Sequence, residues 1–98
     1  MHYYLLARIV FDDDFLDTEW AEMKRLEQEI NRQFKVIARS VSPKGDKIDL
    51  CVACFGGNPQ ILKKLLDDLI FFCESHSNHR VLEYFCEIES IDSIGMGE

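Results

Sequence analysis

The sequence has few residues that interrupt a fold, with only two prolines and five glycines among 98 residues. Because such residues dominate linkers, one continuous domain is predicted over residues 1–91, with a flexible tail over 92–98. No stretch approaches the roughly twenty apolar residues that span a bilayer. The N-terminal apolar run lacks a basic segment and ends at Asp12, Asp13 and Asp14 instead of a small-residue cleavage site. Neither a membrane anchor nor a signal peptide is therefore expected.

Basic residues are also scarce, since 11 lysines and arginines face 18 acidic residues and leave a net charge of -7. Nucleic acids and anionic membranes are bound through basic surface, so the sequence predicts neither as a direct partner. The hydrophobic fraction of 47% is typical of a globular chain and too high for a disordered one. These features together predict an acidic cytoplasmic protein.

The four cysteines, Cys51, Cys54, Cys73 and Cys86, all lie in apolar runs. Cysteine in such runs behaves as a small hydrophobe, which favours a reducing cytoplasm over a disulfide framework. Cys51 and Cys54 form a Cys-x-x-Cys motif, which elsewhere indicates zinc or redox chemistry. Here the motif falls within a predicted strand, where residues three apart point to opposite faces. We therefore interpret both cysteines as structural, and no cofactor is expected.

Hydrophobic periodicity divides the chain into six elements. Trp20, Met23, Leu26, Ile30 and Phe34 recur every three or four residues, as on one face of a helix that Asp17 would cap. The alternating segments on either side predict strands. In chain order, the predictions are a strand over 2–11, a helix over 17–34, strands over 35–41 and 47–55, a helix from Pro59 that ends within 75–78, and a strand over 80–90.

This strand-helix-strand-strand-helix-strand order predicts an α+β, ferredoxin-like sandwich. Four antiparallel strands would form one sheet in the order fourth, first, third, second. Both helices would cover one face of that sheet and leave the other face open.

The open face is expected to be apolar, because the less apolar side of each strand still carries large hydrophobic residues. A monomer seldom exposes such a patch, so the sequence predicts a homodimer joined through it, or cover by another protein. Arg8 would pair across strands with Glu83 or Glu87, on the same predicted side. The predicted interface consists of Tyr4, Leu6, Arg8, Val10, Phe55, Val81, Glu83, Phe85 and Glu87, with Cys51 and Ala53 on the same face.

Three stretches of the chain resemble the YlxP-like family of small uncharacterised bacterial proteins. They are the spacing from Phe11 through Leu16 to Phe34-Lys35-Val36, the strand 48–54 with the helix 62–70, and the closing strand 81–89. The family opens its first helix with a Ser-Leu-Lys-x-Lys-Arg run and precedes its third strand with Trp-Gln-Arg. This chain has an acidic segment over 15–20 and Gly45-Asp46-Lys47 at those places. Family members are commonly encoded beside translation factors, so the resemblance implies a translation-associated role.

Loops at one end of the fold could bring acidic and imidazole groups together. Carboxylates and imidazoles are ligands for divalent metals, but a solvated acidic loop with two surface histidines explains the same residues. No metal is predicted, and the weak candidate ligands are Asp12, Asp13, Asp14, His76 and His79.

Two further patterns have simpler explanations than a binding site. Tyr4 and Phe55 could stack RNA bases, but Asp49 and the net charge oppose that use of the sheet. The segment 56–59, Gly-Gly-Asn-Pro, could hold an anion at a helix N-terminus, yet a turn with a capping asparagine explains it fully.

Three functional hypotheses therefore stay open. The first is a non-enzymatic homodimeric or adaptor module. The second is an acidic protein that binds the basic groove of a nucleic-acid enzyme through carboxylates such as Asp12 to Asp14, Glu87 and Glu89. The third is a small-ligand-binding protein or enzyme with a buried pocket on the open sheet face, rimmed by Tyr4, Arg8 and Phe85.

Overall fold

A computed structural model describes residues 2–11, 17–42, 48–76 and 80–94, and the side chains of 17–19, 93 and 94 are not described. Within these ranges the chain has the predicted α+β class, with four strands and two long helices. The elements are β1 (Tyr3–Phe11), α1 (Asp17–Gln33), β2 (Ile37–Val41), β3 (Asp49–Gly56), α2 (Pro59–His76), β4 (Val81–Ser90) and a short 3-10 helix (Ile91–Ile94).

The four strands form one antiparallel sheet in the order β2-β3-β1-β4. Read from the β4 edge, this is the order predicted from the sequence. The predicted turn between β2 and β3, the acidic run 12–14 and the capping role of Asp17 fall outside the described residues or side chains. The 3-10 helix occupies the start of the segment predicted as a flexible tail, and residues 95–98 also lie outside the described part.

Both helices and the inward side of the sheet share one hydrophobic core. Alternation in the strands is confirmed, because the inward residues of β1 and β3 are buried and their neighbours face the other side. The predicted helix faces are confirmed as well. The most buried large side chains are Leu5, Ile9, Phe11, Met23, Ile30, Leu50, Leu62, Leu66, Leu69 and Cys73.

β2 begins two residues later than predicted because the chain is still leaving α1 at that point. The amide of Phe34 donates to the carbonyl oxygen of Ile30 at 2.9 Å, which extends the helical turn. The Phe34 ring meets that of Phe72 edge-on, at 5.4 Å between centroids. Phe34 is thus packed against α2, and β2 begins only at Ile37.

Two polar side chains of α1 hold the outer edge of β2. The side-chain oxygen of Asn31 accepts from the Ala38 amide at 2.7 Å, and its nitrogen donates to the Ala38 carbonyl at 3.1 Å. One turn earlier, Glu27 accepts from the amide and hydroxyl of Ser40 at 2.6 and 2.7 Å. Side chains of the preceding helix therefore make hydrogen bonds to backbone groups at the outer edge of β2, where no strand pairs with it.

The β3–α2 junction depends on one glycine and one cap. A Cβ atom on Gly56 would lie 2.8 Å from Cδ2 of Leu62, a side chain that is fully buried. The side chain of Asn58 accepts from the Ile61 amide at 2.9 Å, so the predicted cap is confirmed.

In the described part of the chain, neither helix combines the length and the apolar character needed to cross a bilayer.

Candidate functional site

The open face of the sheet is a regular lattice of outward side chains. Direct cross-strand partners lie on the same face, so the pairing registers give its rows. From β2 to β4, one row runs Ile37, Ala53, Leu6, Glu87, the next runs Arg39, Cys51, Arg8, Phe85, and the third runs Val41, Asp49, Val10, Glu83. A shorter row consists of Phe55, Tyr4 and Glu89.

Large hydrophobic residues on this face are exposed, as the sequence predicted. Phe55 is 73% exposed, Ile37 61%, Phe85 49% and Leu6 48%. A monomer rarely leaves so many apolar side chains of one surface in water. The face is therefore the strongest candidate for a functional surface among the described residues.

Small side chains on β3 create a shallow depression in the middle of the face. Cys51 and Ala53 form its floor, while Ile37, Leu6 and Phe85 stand around it. Its volume is about 570 Å³ and it is open to solvent. Tyr4 does not line this depression. It is therefore not the enclosed pocket, rimmed by Tyr4, Arg8 and Phe85, that would support the ligand-binding hypothesis.

A second depression lies at the end of the sheet where β2 diverges from β3. It has a volume of about 830 Å³, and its lining includes Tyr4, Phe34, Lys35 and Phe55. Tyr4 and Phe55 are direct cross-strand neighbours there. Burial, followed by the negative charges of Glu87 and Glu89, raises the pKa of Tyr4.

Arg8 makes different contacts from those predicted. Its Nε lies 3.7 Å from Oδ2 of Asp49, and its guanidinium lies 4.9 Å from the centre of the Phe85 ring. The predicted ion pair with Glu83 or Glu87 is wrong. Phe85 is the residue directly opposite Arg8 on β4, and the arginine reaches diagonally to Asp49 on β3 instead.

Val81 does not belong to the open face. The register between β1 and β4 shifts by one residue near the start of β4, so that Val10 lies opposite Glu83 but Phe11 lies opposite Val81. Phe11 is buried, and Val81 packs against the core on the same side of the sheet. The assignment of Val81 to the interface is therefore wrong, because the bulge at Leu82 reverses the alternation.

The charges of the open face are separated across the sheet. Arg39, on β2, donates to the carbonyl oxygen of Ala38 at 3.0 Å. The opposite edge strand, β4, contributes Glu83, Glu87 and Glu89. In between, Asp49 is buried beside Arg8. The face is thus basic at the β2 edge and acidic at the β4 edge.

The Cys-x-x-Cys motif does not form a site. Cys51 lies opposite Arg8 on the open face, whereas Cys54 lies opposite Leu5 on the core face. Burial, followed by the charge of Asp49, raises the pKa of the Cys51 thiol, although Arg8 acts in the other direction. Burial also raises the pKa of Cys54. Both thiols are therefore protonated near neutral pH and are poor nucleophiles.

Most of the weak metal candidates cannot be placed. Asp12, Asp13, Asp14 and His79 lie outside the described residues. The ring of His76 stacks on Phe72 at 4.0 Å, and its Nδ1 lies 3.1 Å from the Phe72 carbonyl oxygen. Over residues 2–11, 17–42, 48–76 and 80–94, no group of three or more metal-ligating side chains converges.

The sequence-based interface omitted Ile37 and Arg39 of β2. The signal was present, because Ile37, Arg39 and Val41 alternate with two small residues, Ala38 and Ser40, that face the core. The buried carboxylate of Glu27 was also missed, since an acidic residue on a helix is usually solvent-exposed.

Comparisons with known proteins do not assign this face a role. No family model matches the chain, and no curated protein matches it. One similar solved structure is described as "Structural Genomics, protein YJCS", with 15% sequence identity, a TM-score of 0.49, and coverage of 89% of this chain and 97% of that chain. The resemblance to the YlxP-like family stays a prediction.

Proposed function

We propose that the protein is a non-enzymatic homodimeric module of the ferredoxin-like kind, joined through its open sheet face. The supporting observation is that one face carries both an apolar centre and two edges of opposite charge. Such a surface is self-complementary when a two-fold axis turns it onto a copy of itself.

The charges favour one orientation of the two-fold axis. An axis parallel to the strands lays β2 of each copy on β4 of the other. Arg39 of one copy then lies over Phe85 of the partner subunit, because both residues belong to the same row. An axis across the strands would instead lay β4 on β4 and oppose the acidic edges, which is repulsive.

Each arginine meets two kinds of partner in the favoured orientation. Phe85, whose ring already lies beneath the guanidinium of Arg8, offers apolar contact, and Glu83 and Glu87 flank it along β4 and offer ion pairs. Because the interface is isologous, the same contacts occur twice. Charge pairing thus sets the orientation, while burial of Leu6, Phe55 and Ile37 supplies the attraction.

The area of the face limits the affinity. Four strands about 4.8 Å apart, with about eight residues at about 3.3 Å each, give a surface of roughly 20 by 26 Å. Specific interfaces bury about 800 Å² per partner, so this one is at the small end of that class. We expect a dissociation constant in the micromolar range.

A charge-swap series tests the proposal. Arg39→Glu should give a folded monomer, and so should Glu83→Arg with Glu87→Arg. The three substitutions together restore opposite charges and should restore the dimer, with mass measured by light scattering. Arg25→Glu, an equal charge change on the exposed side of α1, is the matched control and should remain dimeric.

Failure of the triple variant to recover would contradict this orientation. A wild-type protein that is already monomeric would favour a different protein as the cover of the face. The cytoplasmic location and the translation-associated role implied by the YlxP-like resemblance are parts of this proposal that the charge-swap series does not address.

A further inference from the structure

In the described part of the chain, side chains of α1 bind the backbone at one edge of the sheet, whereas the other edge is left open. At the β2 edge, Asn31 is hydrogen-bonded to the amide and carbonyl of Ala38, and Glu27 accepts from the amide of Ser40. At the β4 edge, β1 pairs with one side of the strand and no described strand pairs with the other. At the start of this strand, the Val81 amide donates to Glu74 at 3.2 Å.

The middle of β4 is also exposed on both faces of the sheet. It has ten residues, and all six from 82 to 87 are exposed. A long exposed edge strand is a template for another strand, and natural proteins usually shield it. Because the other edge of the same sheet is shielded, the open state of β4 indicates a docking edge.

The two faces of β4 differ in chemistry. Glu83, Phe85, Glu87 and Glu89 share the open face of the sheet. On the helix side, the Tyr84 hydroxyl accepts from Lys63 of α2 at 3.2 Å, and Cys86 is exposed beside it. A strand added at this edge would therefore meet carboxylates on one side and largely apolar groups on the other.

The glutamates of β4 oppose its pairing with a second copy of itself in the registers centred on the middle of the strand. In an antiparallel pair related by a two-fold axis, registers centred on Phe85, Cys86 or Glu87 each place a glutamate opposite a glutamate. Like charges directly opposite each other destabilise a strand pair. The edge thus discourages self-pairing and favours a basic partner.

We propose that the β4 edge binds an extended peptide segment of a partner protein in which basic and apolar residues alternate. The segment adds a strand to the sheet, with its lysines or arginines beside Glu87 and Glu89 and its apolar side chains beside Tyr84 and Cys86. Main-chain hydrogen bonds supply the attachment, and the alternate side chains supply the selectivity.

The main-chain hydrogen bonds of this site form in the plane of the sheet, but its carboxylates, Glu87 among them, also lie on the dimer face. The site is therefore tested in the monomeric Arg39→Glu variant, which frees that face and leaves β4 unaltered. The probe is a fluorescent peptide of about eight residues, the length of an ordinary strand, in which lysine and valine alternate. Fluorescence anisotropy measures its binding, and amide hydrogen exchange locates it.

We expect the alternating peptide to bind and to protect the amides of residues 82–88 from exchange. A peptide with the same composition in two blocks, or with its backbone N-methylated on one edge, should bind much more weakly. Glu87→Gln with Glu89→Gln should weaken binding about tenfold, and these neutral side chains do not restore a charge pair with the glutamate that Arg39→Glu introduces. Glu22→Gln with Asp68→Asn changes the net charge equally on the two helices and should have little effect.

Several results would overturn the proposal. Equal binding of the block peptide would mean attraction to the acidic protein as a whole. Exchange protection away from β4, or loss of binding in the helix control, would place the peptide elsewhere. Absence of binding in both the Arg39→Glu variant and the wild type would remove the site.

Discussion

Val81 lies opposite Phe11, although Glu83, only two residues further along β4, lies opposite Val10 on the other face of the sheet. The bulge at Leu82 thus sends Val81 into the core and leaves Phe85 outside. The two side chains belong to one strand, yet Val81 contributes to folding, whereas Phe85 is available for the association that we propose.

This difference predicts opposite effects for two lysine substitutions in β4. Val81→Lys should lower the free energy of unfolding by about 1–3 kcal/mol, because it brings a charge to the edge of the core. Phe85→Lys should change it by only about 0.5 kcal/mol or less. Urea denaturation at nanomolar protein concentration, far below the proposed micromolar dissociation constant, measures both without a contribution from association. Equal losses in the two variants would contradict the bulge.

A buried carboxylate makes stability depend on pH. Burial acts to raise the pKa of Glu27, but hydrogen bonds from Ser40 and Lys24 outweigh it and lower the pKa below its ordinary value. Such a carboxylate stabilises the fold fully at pH values above its pKa in the unfolded chain, which is about 4.3. This stabilisation is lost as the pH falls through the lower pKa that the group has in the folded protein.

Glu27→Gln should therefore reduce the free energy of unfolding at neutral pH, and the difference from wild type should shrink as the pH falls below about 4.3. Urea denaturation across this range measures it. Glu29→Gln removes an exposed carboxylate that pairs with Arg32, and should have little effect on stability. If Glu27→Gln lowered the free energy of unfolding by the same amount at every pH, the loss would come from the changed side-chain shape and not from the charge.

The two adjacent glycines after β3 should respond differently to alanine. A Cβ on Gly56 would collide with the buried Leu62 side chain, whereas a Cβ on Gly57 meets nothing within 4 Å. We expect Gly56→Ala to cost about 1–3 kcal/mol of stability and Gly57→Ala about 0.5 kcal/mol or less. Thermal denaturation compares them, and equal midpoints would refute the close approach of Leu62.

Thiol reactivity should follow burial. Cys86 is exposed, while Cys73 is buried, and burial followed by the charge of Glu74 raises its pKa to about 12. An aromatic disulfide reagent should modify Cys86 first in the native protein and Cys73 only on unfolding. Titration of unfolded protein without reductant should count four thiols. Two or fewer, or stoichiometric zinc, would contradict the structural interpretation of the cysteines.

Local patterns were sufficient to predict the architecture. Alternation placed Ile9 and Leu50 in the core, and helical spacing did the same for Leu66. The errors involve relationships between elements. The place of Val81 depends on a register shift against β1, and the partner of Arg8 depends on a diagonal reach to Asp49. Neither is encoded in the spacing of one strand.

The contacts made by α1 were missed for a related reason. Glu27 and Asn31 lie four residues apart and read as ordinary helix surface, yet both bind the backbone of β2. Their role becomes visible only when the edge of the sheet is known. The contrast between this closed edge and the open β4 edge could not be predicted from either strand alone.

The mass of the wild-type protein in solution tests the central claim most directly. Sedimentation equilibrium from low to high micromolar concentration should show a rise from the chain mass of 11.4 kDa to twice that value, and Arg39→Glu should stay at the chain mass throughout. A wild-type protein that remains at the chain mass over the whole range would contradict the homodimer.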